Sequence, residues 1–195
     1  LEILFKNEKF DYVCNLAAQV GVRYSVERPK EYIDNNISGF FNILECCKKN
    51  GIKRLVYSSS SSVYGNSKEN PFTEKQKLDH PISMYAATKK TNELMAHVYS
   101  HLYAIETIGL RFFTVYGPWG RPDMAMFLFT NAILRGQPIK VFNNGELSRD
   151  FTYIDDIIEG VVKTILINVK KDLNRVYNIG NNKPEKLLDF IETIE

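Results

Sequence analysis

Three cysteines in 195 residues, Cys14, Cys46 and Cys47, are too few and too awkwardly placed for a disulfide framework. Their number is odd, two are adjacent and none has the spacing of a metal pair, so reduced thiols packed as small hydrophobes in a cytoplasmic setting are expected. Long apolar runs are lacking as well: the best stretch, GVVKTILINV, is interrupted by Lys163 and falls short of the roughly 20 residues of a membrane span. Nothing at the start resembles a secretory signal. Charge of either sign is not in excess, and a formal net charge of +2 without a Lys/Arg cluster is too small to imply a polyanionic partner, so no nucleic-acid partner is expected. Histidine is scarce too. His97 and His101 share a helix face but have no third ligand, so they and His80 are expected at a surface or dimer face with no metal. A phosphate-cradling glycine loop is also missing.

What is present is an ordinary core-forming composition, 44% hydrophobic and 25% charged, in which short β-rich runs alternate with longer helical patterns. Strands are predicted over 12–16, 54–58, 105–113, 139–142 and 176–179, and helices over 32–49, 84–102, 126–134 and 157–167. This order predicts an α/β chain built on a doubly wound parallel sheet, with a less regular C-terminal part. Ligands of such sheets bind beyond the carboxyl ends of the strands. Three stretches fall there: NLAAQ (15–19), the five serines 58–62, and TVYGPWGR (114–121).

A run of five serines reads by composition as a flexible spacer. Its neighbours oppose that reading, because Leu55, Val56 and Tyr57 before it and Val63 and Tyr64 after it are strand-type residues. Small side chains such as Ala17, Ala18 and Ser58 to Ser60 let a flat cofactor approach the backbone. Tyr85 and Lys89 stand one helical turn apart on one face. A phenol of pKa near 10 is a poor base at neutral pH, and lowering it by about 3 units needs roughly 4 kcal/mol of differential stabilisation. A neighbouring ammonium group supplies part of that, and a Ser60 hydroxyl can donate to a substrate oxygen while Tyr85 removes a proton.

NLAAQ, YIDNN, SSSSSVYG and YAATK, in that order, resemble the motifs of the extended short-chain dehydrogenase/reductases, specifically the NAD-dependent epimerase/dehydratase group of nucleotide-sugar enzymes. The resemblance implies a partial Rossmann-like domain over residues 1–116 and a smaller, mainly substrate-binding part over 117–195, some segments of which return to the sheet. It implies NAD as cofactor, a UDP-sugar as substrate and a homodimer formed through helices near 32–49 and 84–102. Tyr85 is then the catalytic base, Lys89 the residue that holds the nicotinamide ribose, and Ser60 the hydroxyl on the reacting sugar oxygen. Leu16, Ala17, Ala18, Asn35, Ser58 and Phe113 fall where the family lines its cofactor site.

Where 4,6-dehydratases of the family carry Thr-Asp-Glu, this chain has Ser60, Ser61 and Ser62, which cannot supply the acid and base for water elimination. RFFTVYGPWGRPDMA (111–125) resembles the UDP-glucuronate 4-epimerase branch, including capsule-biosynthesis enzymes, in which the residues matching Thr114 and Arg121 hold the sugar carboxylate. GELSRDFTYIDD (145–156) implies that Arg149 binds the diphosphate, and PIKVFN places Lys140 and Phe142 near the uridine. The expected reaction is interconversion of UDP-glucuronate and UDP-galacturonate, with UDP-glucuronate decarboxylation, neutral UDP-hexose epimerisation and a non-catalytic binding domain as alternatives. Family members begin with a GxxGxxG turn for the NAD pyrophosphate. None precedes Leu1, so the 195 residues are expected to be part of a longer chain and to bind NAD weakly alone.

Overall fold

The computed structural model describes residues 1–69, 71–141, 143–168 and 172–195. The elements run α1 (Glu2–Glu8), β1 (Tyr12–Asn15), α2 (Tyr24–Glu27), α3 (Pro29–Tyr32), a π-helical turn (Ile33–Ser38) and α4 (Gly39–Lys49). They continue with β2 (Arg54–Ser60), a 3-10 turn (Ser61–Tyr64), α5 (Met84–Tyr103), β3 (Glu106–Phe112) and β4 (Thr114–Tyr116). The last part holds α6 (Ala125–Leu134), β5 (Ser148–Tyr153), α7 (Ile154–Leu166), β6 (Asn174–Ile179), β7 (Pro184–Lys186) and α8 (Leu187–Ile194). The chain divides into two compact units, Leu1–Phe112 with Val161–Asn178, and Phe113–Gly160 with Ile179–Glu195.

In the first unit, β1, β2, β3 and β6 form one sheet in that order, with β1, β2 and β3 parallel. Consecutive apolar residues in β2 and β3 produce this arrangement, because strands covered on both faces need no polar alternation. Leu55, Val56, Tyr57, Ile108 and Leu110 are fully buried. Phe40, Leu44, Cys46 and Cys47 of α4 and Ala96 of α5 close the core over Leu55 and Tyr57. Cys46 and Cys47 thus behave as small hydrophobes. Cys14 does not: it is exposed, because β1 pairs on one side only among the described strands and its outward residues meet solvent.

The second unit holds a small sheet in the order β4-β5-β7, in which β4 runs parallel to β5 and β7 antiparallel. Phe129, Leu187 and Ile191 form its core, with Ile139 and Val141 packed against them. Residues 139–141 are therefore not the predicted strand. Their apolar side chains pack on the α6–α8 cluster as an irregular segment after Gly136 and Pro138, and no sheet partner is present among the described residues. Phe142 lies outside the described residues.

Gly109 explains how β2 and β3 accommodate a tyrosine between them. It lies directly opposite Tyr57, and a Cβ there would sit 2.7 Å from the Tyr57 hydroxyl. The Gly109→Ala substitution is expected to lower stability by about 1–3 kcal/mol, read as the shift in urea midpoint at constant m. An unchanged midpoint would contradict this packing.

Candidate active site

Helix α5 starts where Ser83, in extended conformation, accepts a hydrogen bond from the Ala86 amide at 3.1 Å. This cap places Tyr85 in the first turn, Lys89 one turn on and Glu93 one turn further, all on one face. The face lies against the carboxyl end of β2. Lys89 is 2% exposed, and its Nζ donates to the Ser58 carbonyl at 2.8 Å and the Ser58 hydroxyl at 2.9 Å. Among the described residues no carboxylate pairs with it. Burial pushes the Lys89 ammonium down to about 8. Its Nζ stands 6.0 Å from the centroid of the half-buried Tyr85 ring, which meets the Tyr32 ring edge-on at 6.1 Å.

The serine run is not a spacer. Ser58, Ser59 and Ser60 are the last residues of β2, and each has a separate task. Ser58 receives Lys89, Ser59 donates to Glu93 Oε1 at 2.7 Å, and Ser60 accepts from the Ser62 amide at 3.1 Å as cap of the 3-10 turn. Residues bulkier than serine would fill the space that these polar links occupy.

The NLAAQ stretch leaves β1 with Leu16 and Ala17 exposed and Ala18 partly so. It is held by Asn36. The Gln19 amide donates to Asn36 Oδ1 at 2.7 Å, while Asn36 Nδ2 donates to the Gln19 carbonyl at 2.9 Å and to Thr88 Oγ1 at 3.1 Å. Thr88 in turn donates to the Tyr85 carbonyl at 2.9 Å. The π-helical turn widens the helix where Asn36 points inward, a distortion common at functional sites. Asn35, the residue expected there, is exposed and donates to the Glu31 carbonyl at 2.7 Å. Asn36 escaped the sequence reading, although two consecutive asparagines inside a helix are themselves a signal of non-helical work.

Glu93 and Arg111 were also missed. Arg111, on β3, donates from Nε to Glu93 Oε1 at 2.8 Å and from Nη2 to Oε2 at 2.9 Å, and both side chains are buried. Burial opposes the Glu93 charge, but the Arg111 guanidinium and the Ser59 hydroxyl still hold its carboxyl below the usual range.

The remaining expected residues belong to the second unit. Phe113 donates its amide to Ile179 at 3.2 Å, and Thr114 opens β4 opposite Phe151. Arg121 follows the Gly117–Gly120 turn and forks onto Asp123, with Nε to Oδ1 at 3.0 Å and Nη2 to Oδ2 at 2.5 Å. Arg149 is exposed on β5, with Nη1 donating to the Ser148 carbonyl at 2.9 Å. Lys140 is exposed, and so, in the first unit, are His80, His97 and His101.

Residues 1–180 match the model of the NAD dependent epimerase/dehydratase family. The chain is 53% identical to Protein CapI of Staphylococcus aureus, with all of the chain and 63% of that protein covered. It is 48% identical to UDP-glucuronate 4-epimerase 4 of Arabidopsis thaliana, with all of the chain and 48% of that protein covered. The chain therefore spans roughly half to two thirds of these relatives. Among solved structures, the UDP-glucuronic acid 4-epimerase of Bacillus cereus, in complex with UDP-glucuronic acid and NAD, superposes with a TM-score of 0.91 at 38% identity, over all of this chain and 60% of that one. With its parallel sheet, and with the Tyr85–Lys89 pair at the end of β2, the chain belongs to the NAD dependent epimerase/dehydratase family.

Proposed function

We propose that the protein is an NAD-dependent UDP-sugar 4-epimerase and that its sugar is a uronic acid, interconverted between UDP-glucuronate and UDP-galacturonate. The observation that carries this reading is Lys89: a buried ammonium with two neutral oxygen partners on Ser58, one turn from a tyrosine. Two donations leave its third N–H for a ligand hydroxyl, which suits the ribose of a nicotinamide cofactor. Ala17 and Ala18 offer little bulk where the rest of that cofactor would lie. When bound, NAD supplies a reversible acceptor for the hydride on C4.

Tyr85 takes the proton of the sugar 4-hydroxyl as the C4 hydrogen leaves with its electron pair, and Ser60 donates a hydrogen bond to the same oxygen. A 4-keto sugar results. Tyr85 returns the proton after the sugar presents its other face, so proton and hydride balance over one turnover. The Lys89 charge favours the phenolate throughout. Arg121 suits the sugar carboxylate because a guanidinium binds it through two parallel bonds, and Thr114 adds a hydroxyl. Firm holding matters chemically, since a carboxylate beside a 4-ketone is a β-keto acid that loses carbon dioxide when its bonds align. Arg149 would hold the diphosphate. The names of the relatives support the uronic acid, and Ser61 and Ser62, which offer no acid–base pair, disfavour dehydration.

In the complete gene product incubated with UDP-glucuronate, UDP-galacturonate is the expected product. Carbon dioxide with a UDP-pentose would contradict the reading. The Tyr85→Phe variant is expected to lower kcat by about 10²- to 10⁴-fold with little change in KM. Normal turnover by that variant would remove Tyr85 as the base.

The Lys89→Met variant is expected to lose turnover yet gain stability at neutral pH. A buried ammonium lowered from 10.5 to about 8 opposes folding by up to roughly 3 kcal/mol. Because the unfolded chain binds the extra proton between those values, wild-type stability rises with pH across that window and the advantage of the methionine fades. Thermal melts of both proteins at neutral pH and near pH 10 check this, and a methionine variant that is less stable at both would refute it.

A further inference from the structure

We propose that Glu93 is a positioning residue for this reaction: paired with Arg111, it sets the carboxyl end of β2 against α5 so that the Ser60 hydroxyl stays aligned with Tyr85. The inference rests on the reading of Ser60 and Tyr85 given above.

Strands β2 and β3 carry a mostly buried ion cluster at each end, and the two clusters differ in what they touch. At the amino ends Arg54 donates to Glu106, its register partner, and Arg175 also pairs with Glu106. Arg54 also donates to the Ile165 carbonyl, so these links run among β2, β3, β6 and α7. At the carboxyl ends the Glu93 carboxylate receives both Nε and Nη2 of Arg111 and, on the same Oε1, the Ser59 hydroxyl. Lys90 approaches its Oε2 at 3.3 Å. Ser59 and Arg111 are also register partners.

The link continues past the serines. Arg111 Nη1 donates to the Tyr64 hydroxyl at 2.9 Å, and that hydroxyl donates to Asn178 Oδ1 at 2.7 Å. Tyr64 stacks on Phe72 at 4.4 Å, and Asn178 Nδ2 donates to the Phe72 carbonyl at 3.0 Å. Ser60 is thus bracketed: Ser59 before it is fastened to Glu93, and Tyr64 after it is fastened to Arg111. Glu93 also shares the helix face of Tyr85 and Lys89, so one rigid element carries both the base and the anchor. A buried ion pair is a weak device for stability, since well-packed apolar residues often serve as well. It is a strong one for fixing a hydroxyl in one direction.

Glu93→Gln and Glu106→Gln in the complete gene product separate positioning from bulk stability. Both variants are expected to lower the melting temperature. Glu93→Gln should lower kcat by roughly ten- to a hundredfold with KM and NAD content nearly unchanged, whereas Glu106→Gln should leave kcat unaltered. Equal kcat in the two variants, or a loss confined to KM, overturns the proposal. Ser59→Ala leaves the ion pair intact and decides the question if a charge variant does not fold: a several-fold fall in kcat at a nearly constant melting temperature is expected, and an unchanged kcat overturns it. The assays use whichever UDP-sugar the wild type turns over. A neutral hexose in that role would overturn the uronate reading, while the contrast between the variants still decides the role of Glu93.

Discussion

One ammonium group, buried against the end of a β-strand, sets the terms for the rest of the site. Lys89 reaches from α5 to both oxygens of Ser58 and finds no carboxylate among the described residues. A lysine so placed is costly, because its charge has left water for two neutral acceptors. The proposed function gives that cost a use: the third N–H and the positive charge would hold a ligand hydroxyl and favour an adjacent phenolate. This is the pattern expected of a functional site, where local stability is given up for a shifted protonation equilibrium.

The neighbouring residues follow from that placement. Serine is the side chain that can end a strand, accept a lysine, donate to a glutamate and cap a 3-10 turn within three consecutive positions without filling the space beyond. The Ser58–Lys89 and Ser59–Glu93 links tie strand to helix one turn apart, and Asn36, bonded to both Gln19 and Thr88, ties the loop after β1 to the same helix. Helix α5 is therefore the common reference for the three stretches 15–19, 58–60 and 85–89. Its position on the sheet is set by apolar contacts, Ala96 packing in the core with Leu55 and Tyr57. Apolar burial supplies the stability and the polar links supply the alignment.

The parts legible in the sequence were those with strong periodicity. Apolar runs at 54–58 and 105–113 and the long amphipathic pattern at 84–102 correspond to β2, β3 and α5 within two residues. Short elements were harder to read. Strands β4 and β7 have three residues each, too few for a period to emerge, and the apolar run at 139–141 packs as irregular chain because α6 and α8 offer it a core without a sheet edge. In the site, Tyr85 and Lys89 could be singled out because residues four apart share a helix face, and Ser60 because it lies in the serine run that ends β2. Glu93 and Arg111 could not: a glutamate on a helix reads as solvated, and a strand arginine reads as an edge residue. Only the contact across 18 residues of sequence reveals that each neutralises the other. Of the two neighbouring asparagines, Asn36 is the buried one and Asn35 the exposed one, a difference that the sequence of the π-helical turn containing both does not announce.

The central claim is that Lys89 is buried as a cation with no counter-charge among the described residues, and its own titration tests this most directly. An NMR titration of the Lys89 side chain, assigned by comparison with the Lys89→Met protein, is predicted to give a midpoint of about 8 in the ligand-free protein. A midpoint near the ordinary lysine value of about 10.4 would show a solvated or ion-paired ammonium and contradict the account.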